Sequence, residues 1–149
     1  MLNAKEVAHS LRQNGYKVTP QRLAVYEWLS RSHEHPTAEM LYHRLQPKYP
    51  SMSLSTVYKT MDIFEKLQLV KVINTGEDSY RYDAETSEHA HVQCLKCGKV
   101  EDVWVDPIEI REQAGRDSGY EVQKQALYFY GICPCCRSKK EAAATAGKN

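Results

Sequence analysis

The sequence predicts an α+β protein, with an N-terminal winged helix-turn-helix followed by a smaller α/β domain. Two observations support this prediction. In the first half, apolar residues recur at helical spacing before two β-rich runs flank a glycine-containing turn. In the second half, short strand-like segments surround all five cysteines of the chain. We place the domains at 1–83 and 84–149, with the hinge near 83–88 and a disordered tail from about residue 139.

Helix start signals are clear in the first half. Thr19 is an N-cap candidate, and Pro20 follows at the first helical position, where its missing N–H costs nothing. Thr37 and Ser53 are the expected caps of two further helices. A modest amphipathic helix over 3–14 precedes these three, and another helix is expected over 107–119 in the second half.

Strand signals follow the helices of the first half. Residues 69–73 and 79–83 are rich in β-formers and read as a hairpin, which completes a winged helix-turn-helix. In the second half we expect strands over 90–93, 100–105 and 120–131.

The helix that begins at Ser53 is the expected DNA-reading helix. The last helix of a helix-turn-helix enters the major groove, and residues near its N-terminus reach base edges. Residues 1–82 hold 11 Lys/Arg against 8 Asp/Glu, a small basic excess that suits a polyanion. The alternative is an ordinary solvated helix face. The candidate DNA contacts are Lys17, Arg22, Ser55, Thr56, Tyr58 and Lys59.

Two matched cysteine pairs, Cys94-x-x-Cys97 and Cys133-x-x-Cys136, predict a metal site. Four thiolates form a closed tetrahedral set, which is typical of structural Zn²⁺. A thiol–disulfide switch and an iron–sulfur cluster are the alternatives, but neither pair clearly begins a helix after a strand, where redox pairs usually lie. The even spacing favours Cys136 over Cys135 as the fourth ligand.

A second cluster combines histidines with carboxylates. His89 and His91 alternate on a predicted strand, so their side chains face the same way and can share an ion. Asp83 ends the predicted wing, and Asp102 lies on the next strand, where it can come alongside. Such ligands suit Fe²⁺ or Mn²⁺ better than a thiol-preferring ion. The alternative is surface histidines of no consequence, and nothing in the local sequence brings His35 to this cluster.

The chain resembles the Fur family of metal-dependent regulators across about residues 3–138. The stretches that carry the resemblance are Val18-Thr19-Pro20-Gln21-Arg22, His35-Pro36-Thr37-Ala38-Glu39, Ser53-Leu54-Ser55-Thr56-Val57-Tyr58-Lys59, Arg81-Tyr82-Asp83, His89-Ala90-His91, Cys94-Leu95-Lys96-Cys97-Gly98-Lys99 and Cys133-Pro134-Cys135-Cys136. The resemblance implies a first domain that binds DNA, a second domain that dimerises, structural zinc on the paired cysteines, and a regulatory ion between the domains. The regulatory ligands that it implies are His35, Asp83, His89, His91 and Asp102.

Asp102 favours the peroxide-sensing PerR branch of this family. PerR-like members resemble this chain in having aspartate there, whereas iron-sensing Fur members tend to have glutamate. The resemblance then implies a repressor that senses hydrogen peroxide through Fe²⁺-catalysed oxidation of His35 or His89 and releases a palindromic, AT-rich operator. Mn²⁺ fills the same site without this chemistry. The alternative is an iron-responsive Fur-type repressor of iron uptake genes.

Two other functional classes are less well supported. Histidines and a carboxylate also hold Fe²⁺ in oxygenases, but we find no sequence sign of a substrate pocket and expect no enzyme. The other class is a zinc-ribbon interaction module with no role in DNA binding. The N-terminus has no basic start or apolar stretch, and no apolar run approaches the roughly 20 residues of a membrane helix. We therefore expect a cytoplasmic protein.

Overall fold

The computed structural model describes residues 1–139 and divides into two compact units. The N-terminal unit is Met1–Ser87, and the C-terminal unit begins at Glu88. None of the helices in the described part is both long enough and apolar enough to cross a membrane. Apart from Lys139, the predicted tail lies outside the described residues. The domain boundary expected after residue 83 stays a prediction, because a compact unit is a domain only if it folds on its own.

Four helices build the N-terminal unit, and three of them begin at the predicted caps. The side chains of Thr19, Thr37 and Ser53 each accept a hydrogen bond from a backbone N–H in the first turn, which confirms these starts. Asn3 caps the first helix in a capping box with Glu6. The helices are α1 (Ala4–Gln13), α2 (Pro20–Arg31), α3 (Ala38–Leu45) and α4 (Leu54–Lys66).

The predicted wing is an antiparallel hairpin. Strand β1 (Lys71–Ile73) pairs with β2 (Arg81–Asp83), which confirms the winged helix-turn-helix. The strands are shorter than the predicted runs. Leu69 and Val70 lie in the bend that follows α4 and pack into the helical core, and β1 begins only after them.

One apolar core holds the N-terminal unit together. Leu11, Leu41, Met61 and Phe64 are almost fully buried, and the rings of Tyr26 and Phe64 meet edge to face with centroids 5.7 Å apart. This core fixes the position of α4 and leaves the polar face of that helix in solvent.

A three-stranded sheet in the order β4-β3-β5 forms the C-terminal unit. Strand β3 (Ala90–Cys94) pairs antiparallel with β4 (Val100–Val103) and parallel with β5 (Tyr128–Gly131), and α5 (Pro107–Ser118) lies between the outer strands in sequence. The strand predicted over 120–131 forms only in its last part. Its pairing with the short β3 begins opposite His91, so the earlier residues have no strand partner there.

Few apolar side chains are buried in the C-terminal unit. Helix α5 buries none of its residues, and Ile108 and Ile110 on it are about half exposed. Within the described residues, the buried apolar side chains of this unit are Ala90, Cys94, Val100 and Cys136.

Candidate metal centres and DNA-facing surface

The four paired cysteines form one cluster in the C-terminal unit. Their sulfurs all lie within 4.8 Å of one another. The distance between Cys97 Sγ and Cys133 Sγ is 3.8 Å. A tetrahedron with Zn–S distances of about 2.3 Å has an edge of about 3.8 Å. The cluster therefore fits Zn²⁺ both in donor chemistry and in spacing.

Strand pairing brings the two cysteine pairs together. Cys94 ends β3 opposite Gly131 of β5, and the chain then places Cys133 beside it. The backbone N–H of Cys133 donates to Cys94 Sγ at 3.3 Å. Hydrogen bonds from the backbone N–H groups of Cys133 and Cys97 lower the pKa of the Cys94 thiol to about 6, which favours the thiolate that a metal needs.

Cys136 and Cys135 differ in their surroundings. Cys136 is buried and belongs to the cluster, and its backbone N–H donates to Cys133 Sγ at 3.4 Å. Hydrogen bonding with Cys133 raises the pKa of the Cys136 thiol. Cys135 is exposed and lies outside the cluster.

Two histidines and an aspartate meet at the paired strands of the C-terminal unit: His91 lies on β3, Asp102 lies on β4, and His89 immediately precedes β3. The Nε2 atoms of His89 and His91 are 3.1 Å apart. Asp102 is the strand partner of His91, and its Oδ1 lies 3.2 Å from His89 Nε2 and 3.6 Å from His91 Nε2. Donor atoms that bind one ion at about 2.1 Å lie about 3.0–3.4 Å apart. The spacing of this group therefore suits a shared divalent ion.

A histidine and an aspartate also meet within the N-terminal unit. His35 Nε2 lies 3.7 Å from Asp83 Oδ2, and both side chains are buried. The loop before α3 reaches β2, where the backbone N–H of Tyr82 donates to the Pro36 carbonyl at 3.0 Å. This pair offers the same donor types, imidazole and carboxylate, as the group in the C-terminal unit.

The polar face of α4 carries most of the predicted DNA contacts. Ser55, Tyr58 and Lys59 are exposed, while the Thr56 hydroxyl shares a 2.8 Å hydrogen bond with that of Ser53. The two predicted contacts outside α4 differ from each other. Lys17 is exposed, and the half-buried Arg22 donates a hydrogen bond to the Lys17 carbonyl.

Three residues that sequence reasoning missed touch these groups. The Tyr58 hydroxyl donates to the Glu39 carboxylate, which lowers the pKa of Glu39 and raises the pKa of Tyr58. Trp104 stacks on His89 with ring centroids 4.8 Å apart. Arg81 donates to the carbonyl of His35. Arg81 and Glu39 had a signal, since each belongs to a stretch that carries the family resemblance, whereas the contact of Trp104 depends on tertiary structure alone.

The winged helix and the two kinds of donor group define a metal-dependent DNA-binding regulator. The chain belongs to the ferric uptake regulator family, whose model matches residues 13–130. This finding confirms the predicted family and a regulator rather than an enzyme.

Named relatives match this chain over most of its length. The peroxide operon regulator of Bacillus subtilis (strain 168) is 40% identical over 138 residues, which cover 92% of this chain and 94% of that protein. The solved structure of the Campylobacter jejuni peroxide stress regulator has a TM-score of 0.69 and 34% identity, and the match covers 91% of this chain and 100% of that one. The Helicobacter pylori ferric uptake regulator Fur has a TM-score of 0.77 and 27% identity, covering 89% and 90%. The predicted PerR branch agrees with the first two of these.

Proposed function

We propose that the protein is a homodimeric, metal-dependent transcriptional repressor that senses hydrogen peroxide. The observation that carries this proposal is the group in which the Asp102 carboxylate lies within 3.6 Å of the imidazoles of His89 and His91. Support comes from relatives named peroxide operon regulator and peroxide-responsive repressor.

We infer that His35, Asp83, His89, His91 and Asp102 are the ligands of one Fe²⁺ or Mn²⁺ ion. The first two belong to the N-terminal unit and the other three to the C-terminal unit, so a shared ion couples the two units. Without the ion, the conformation that can bind DNA is only one of several, so the apparent affinity for the operator is low. Ion binding stabilises that conformation and raises the affinity. Loss of the ion then lifts repression. Structural Zn²⁺ on the four-cysteine cluster keeps the C-terminal unit folded throughout.

Histidine oxidation is the proposed signal. Fe²⁺, when bound, would catalyse cleavage of the peroxide O–O bond. A C–H bond of a ligand imidazole becomes C–OH with one peroxide oxygen, and the other oxygen leaves as water with the displaced hydrogen, so the imidazole is the two-electron reductant and the iron undergoes no net change. His35 and His89 are the proposed targets, and both are buried. An oxidant in bulk solvent reaches them less readily than the exposed His9, His33 and His43. An oxidised imidazole is a poorer donor, so the ligand set weakens.

The proposed DNA contacts and dimer rest on separate observations. Helix α4 exposes Ser55, Tyr58 and Lys59, which suit phosphates and base edges. A second copy of the chain covers the apolar residues that α5 leaves in solvent. A two-fold dimer presents two α4 helices to a palindromic operator, for which we propose an AT-rich sequence. The repressor acts in the cytoplasm, where it meets its operator.

Mass spectrometry of histidine-containing peptides tests the peroxide proposal. The Fe²⁺-loaded and Mn²⁺-loaded proteins are treated with hydrogen peroxide, and DNA binding is measured in parallel. The Fe²⁺ protein should gain one oxygen on His35 or His89 and lose DNA binding, and the Mn²⁺ protein should do neither. His9, His33 and His43 are internal controls, because oxidation in bulk solvent would modify them first.

Substitution of the carboxylate sharpens the test. Asp102→Glu should keep metal-dependent DNA binding but blunt histidine oxidation, because ligand geometry controls iron reactivity more than iron binding. Glu101→Asp, on the same strand with an exposed side chain paired to Lys99, is the matched control and should respond like the wild type. If the wild-type Fe²⁺ protein shows no histidine oxidation and releases DNA only when iron is chelated, an iron-responsive Fur-type repressor replaces this proposal.

A further inference from the structure

His35 has an unusual backbone conformation. Its φ is 47°, in the left-handed region that residues with a side chain rarely adopt. Pro36 follows, and the residue before a proline favours an extended backbone instead. A buried residue in such a conformation persists only where its surroundings hold it there. The groups that hold His35 are therefore of interest for its role as a ligand.

Strand β2 supplies those groups. The guanidinium of Arg81 donates from Nη1 to the His35 carbonyl at 3.2 Å. An isolated bridge pairs Arg81 with Thr37, and the next residue, Tyr82, donates its N–H to the Pro36 carbonyl. The backbone that follows the His35 side chain, from its own carbonyl to Thr37, is thus fixed to one strand.

The same guanidinium also binds the turn of the wing. Arg81 Nε donates to Glu77 Oε2 at 2.9 Å, and the Arg81 side chain is only 14% exposed. Arginine presents its N–H donors in a rigid planar fork, so a single side chain can bind both oxygens at once. A lysine ammonium on a flexible stem lacks that fixed geometry.

We propose that Arg81 is a positioning residue that holds His35 in its ligand conformation and links it to the wing through Glu77. This inference rests on the proposed function, in which His35 is a ligand of the regulatory ion. It predicts that a residue that donates no atom to the ion nevertheless controls the affinity for it.

Metal affinity in Arg81 variants provides the first test. Mn²⁺ binding to the zinc-loaded full-length protein is followed by the electron paramagnetic resonance signal of free Mn²⁺. Arg81→Met should weaken Mn²⁺ binding about 10- to 100-fold, the usual effect of losing a partner that orients a metal ligand. Glu77→Gln, which keeps the His35 contact, should have a smaller effect, and the zinc content should not change. Wild-type Mn²⁺ affinity in Arg81→Met would overturn the proposal.

A double-mutant cycle separates this inference from the proposed function. If Arg81 acts through His35, then adding Arg81→Met to His35→Ala should change Mn²⁺ affinity by less than about twofold. Full additivity of the two losses would show that Arg81 acts elsewhere and would overturn the proposal. If His35→Ala alone leaves the affinity unchanged, it is the ligand role of His35 in the proposed function that fails.

Hydrogen exchange gives a readout in the absence of Mn²⁺ and Fe²⁺. The Tyr82 N–H should exchange at least about tenfold faster in Arg81→Met, because its acceptor on Pro36 is no longer held, while α1 and α4 keep their protection. Unchanged exchange at Tyr82 would overturn the proposal. If Arg81→Met does not fold, Arg81→Lys decides: a Mn²⁺ affinity below that of the wild type supports the two-contact role, and wild-type affinity overturns it.

Discussion

Loss of one zinc ligand should unfold the C-terminal unit and leave the N-terminal unit folded. The reason is the difference between their cores. Sixteen buried residues form the core of the N-terminal unit. In the described part of the C-terminal unit, Ala90 and Val100 are the buried apolar residues apart from two cysteines of the cluster. The substitution Cys97→Ser removes one thiolate from that cluster.

Metal binding contributes more to the folding free energy of this unit than its buried apolar side chains do. Full burial of a valine such as Val100 contributes about 1.5–3 kcal/mol, and Ala90 contributes less. Structural Zn²⁺ in zinc-finger peptides contributes about 10–16 kcal/mol at neutral pH, and this binding energy is folding energy. Helix α5 adds no buried residue in the single chain. Without zinc, the sheet of this unit lacks the largest contribution to its stability.

Hydrogen exchange measured by mass spectrometry on the full-length protein tests this expectation. In Cys97→Ser, peptides from β3 and β4 should exchange as an unfolded chain does, while peptides from α1–α4 keep their protection. Cys135→Ser is the matched control, because Cys135 is an exposed thiol in the same segment that lies outside the cluster. It should keep zinc and protection.

Two results would refute this reasoning. A protected β3 in a zinc-free Cys97→Ser protein would mean that the sheet is stable without metal. Loss of protection in α1–α4 as well would mean that the N-terminal unit depends on its neighbour. Loss of zinc in Cys135→Ser, together with retention in Cys136→Ser, would reverse the choice of ligand within that pair.

Three further predictions concern DNA binding, dimer formation and alkaline stability. Lys59→Ala should weaken binding evenly across DNA sequences and lower the salt slope by about one, and an unchanged slope in a gel-shift series would contradict the DNA-facing role. Ile110→Asp should turn dimers into monomers in analytical ultracentrifugation, because a charge replaces a side chain that the second copy is proposed to cover; a persistent dimer would count against α5 as the interface. Burial raises the pKa of Tyr82 to about 12, so the folded state keeps a proton that the unfolded state loses near pH 10. Unfolding free energy should therefore fall as pH rises from about 10 towards 12, and Tyr82→Phe should flatten that fall; equal slopes in both proteins would contradict it.

Local signals in the sequence predicted most of the fold. Thr19, Thr37 and Ser53 each marked a helix start through their own side chains, which depends on the first turn alone. The prediction over 120–131 made this strand too long, because β-propensity does not say how long the partner strand is.

The candidate sites also differ in whether local sequence signals or tertiary contacts determine them. Spacing alone indicated the four-cysteine cluster and predicted that His89 and His91 face the same way, as they do although His89 lies just before β3. The pairing of Asp102 with His91 followed from their positions on consecutive strands. His35 could not be assigned in this way, because its approach to Asp83 depends on the pairing of its loop with β2. For that residue only the family resemblance was informative.

Charge explains why the two proposed metal sites have such different surroundings. In the ligand set proposed for Fe²⁺ or Mn²⁺, the carboxylates of Asp83 and Asp102 supply two negative charges, which a divalent ion would neutralise, and the three imidazole ligands add none. A neutral loaded site can be buried at modest cost, and each of its imidazoles is less than a tenth exposed. Four thiolates with Zn²⁺ keep two negative charges, and that cluster lies partly at the surface, where Cys97 is exposed and Lys96 and Lys99 stand nearby in sequence. The same balance makes Asp83→Asn a change of charge as well as of ligand. It leaves a buried excess positive charge with any divalent ion, so metal binding should fall further than the loss of one donor atom alone would cause.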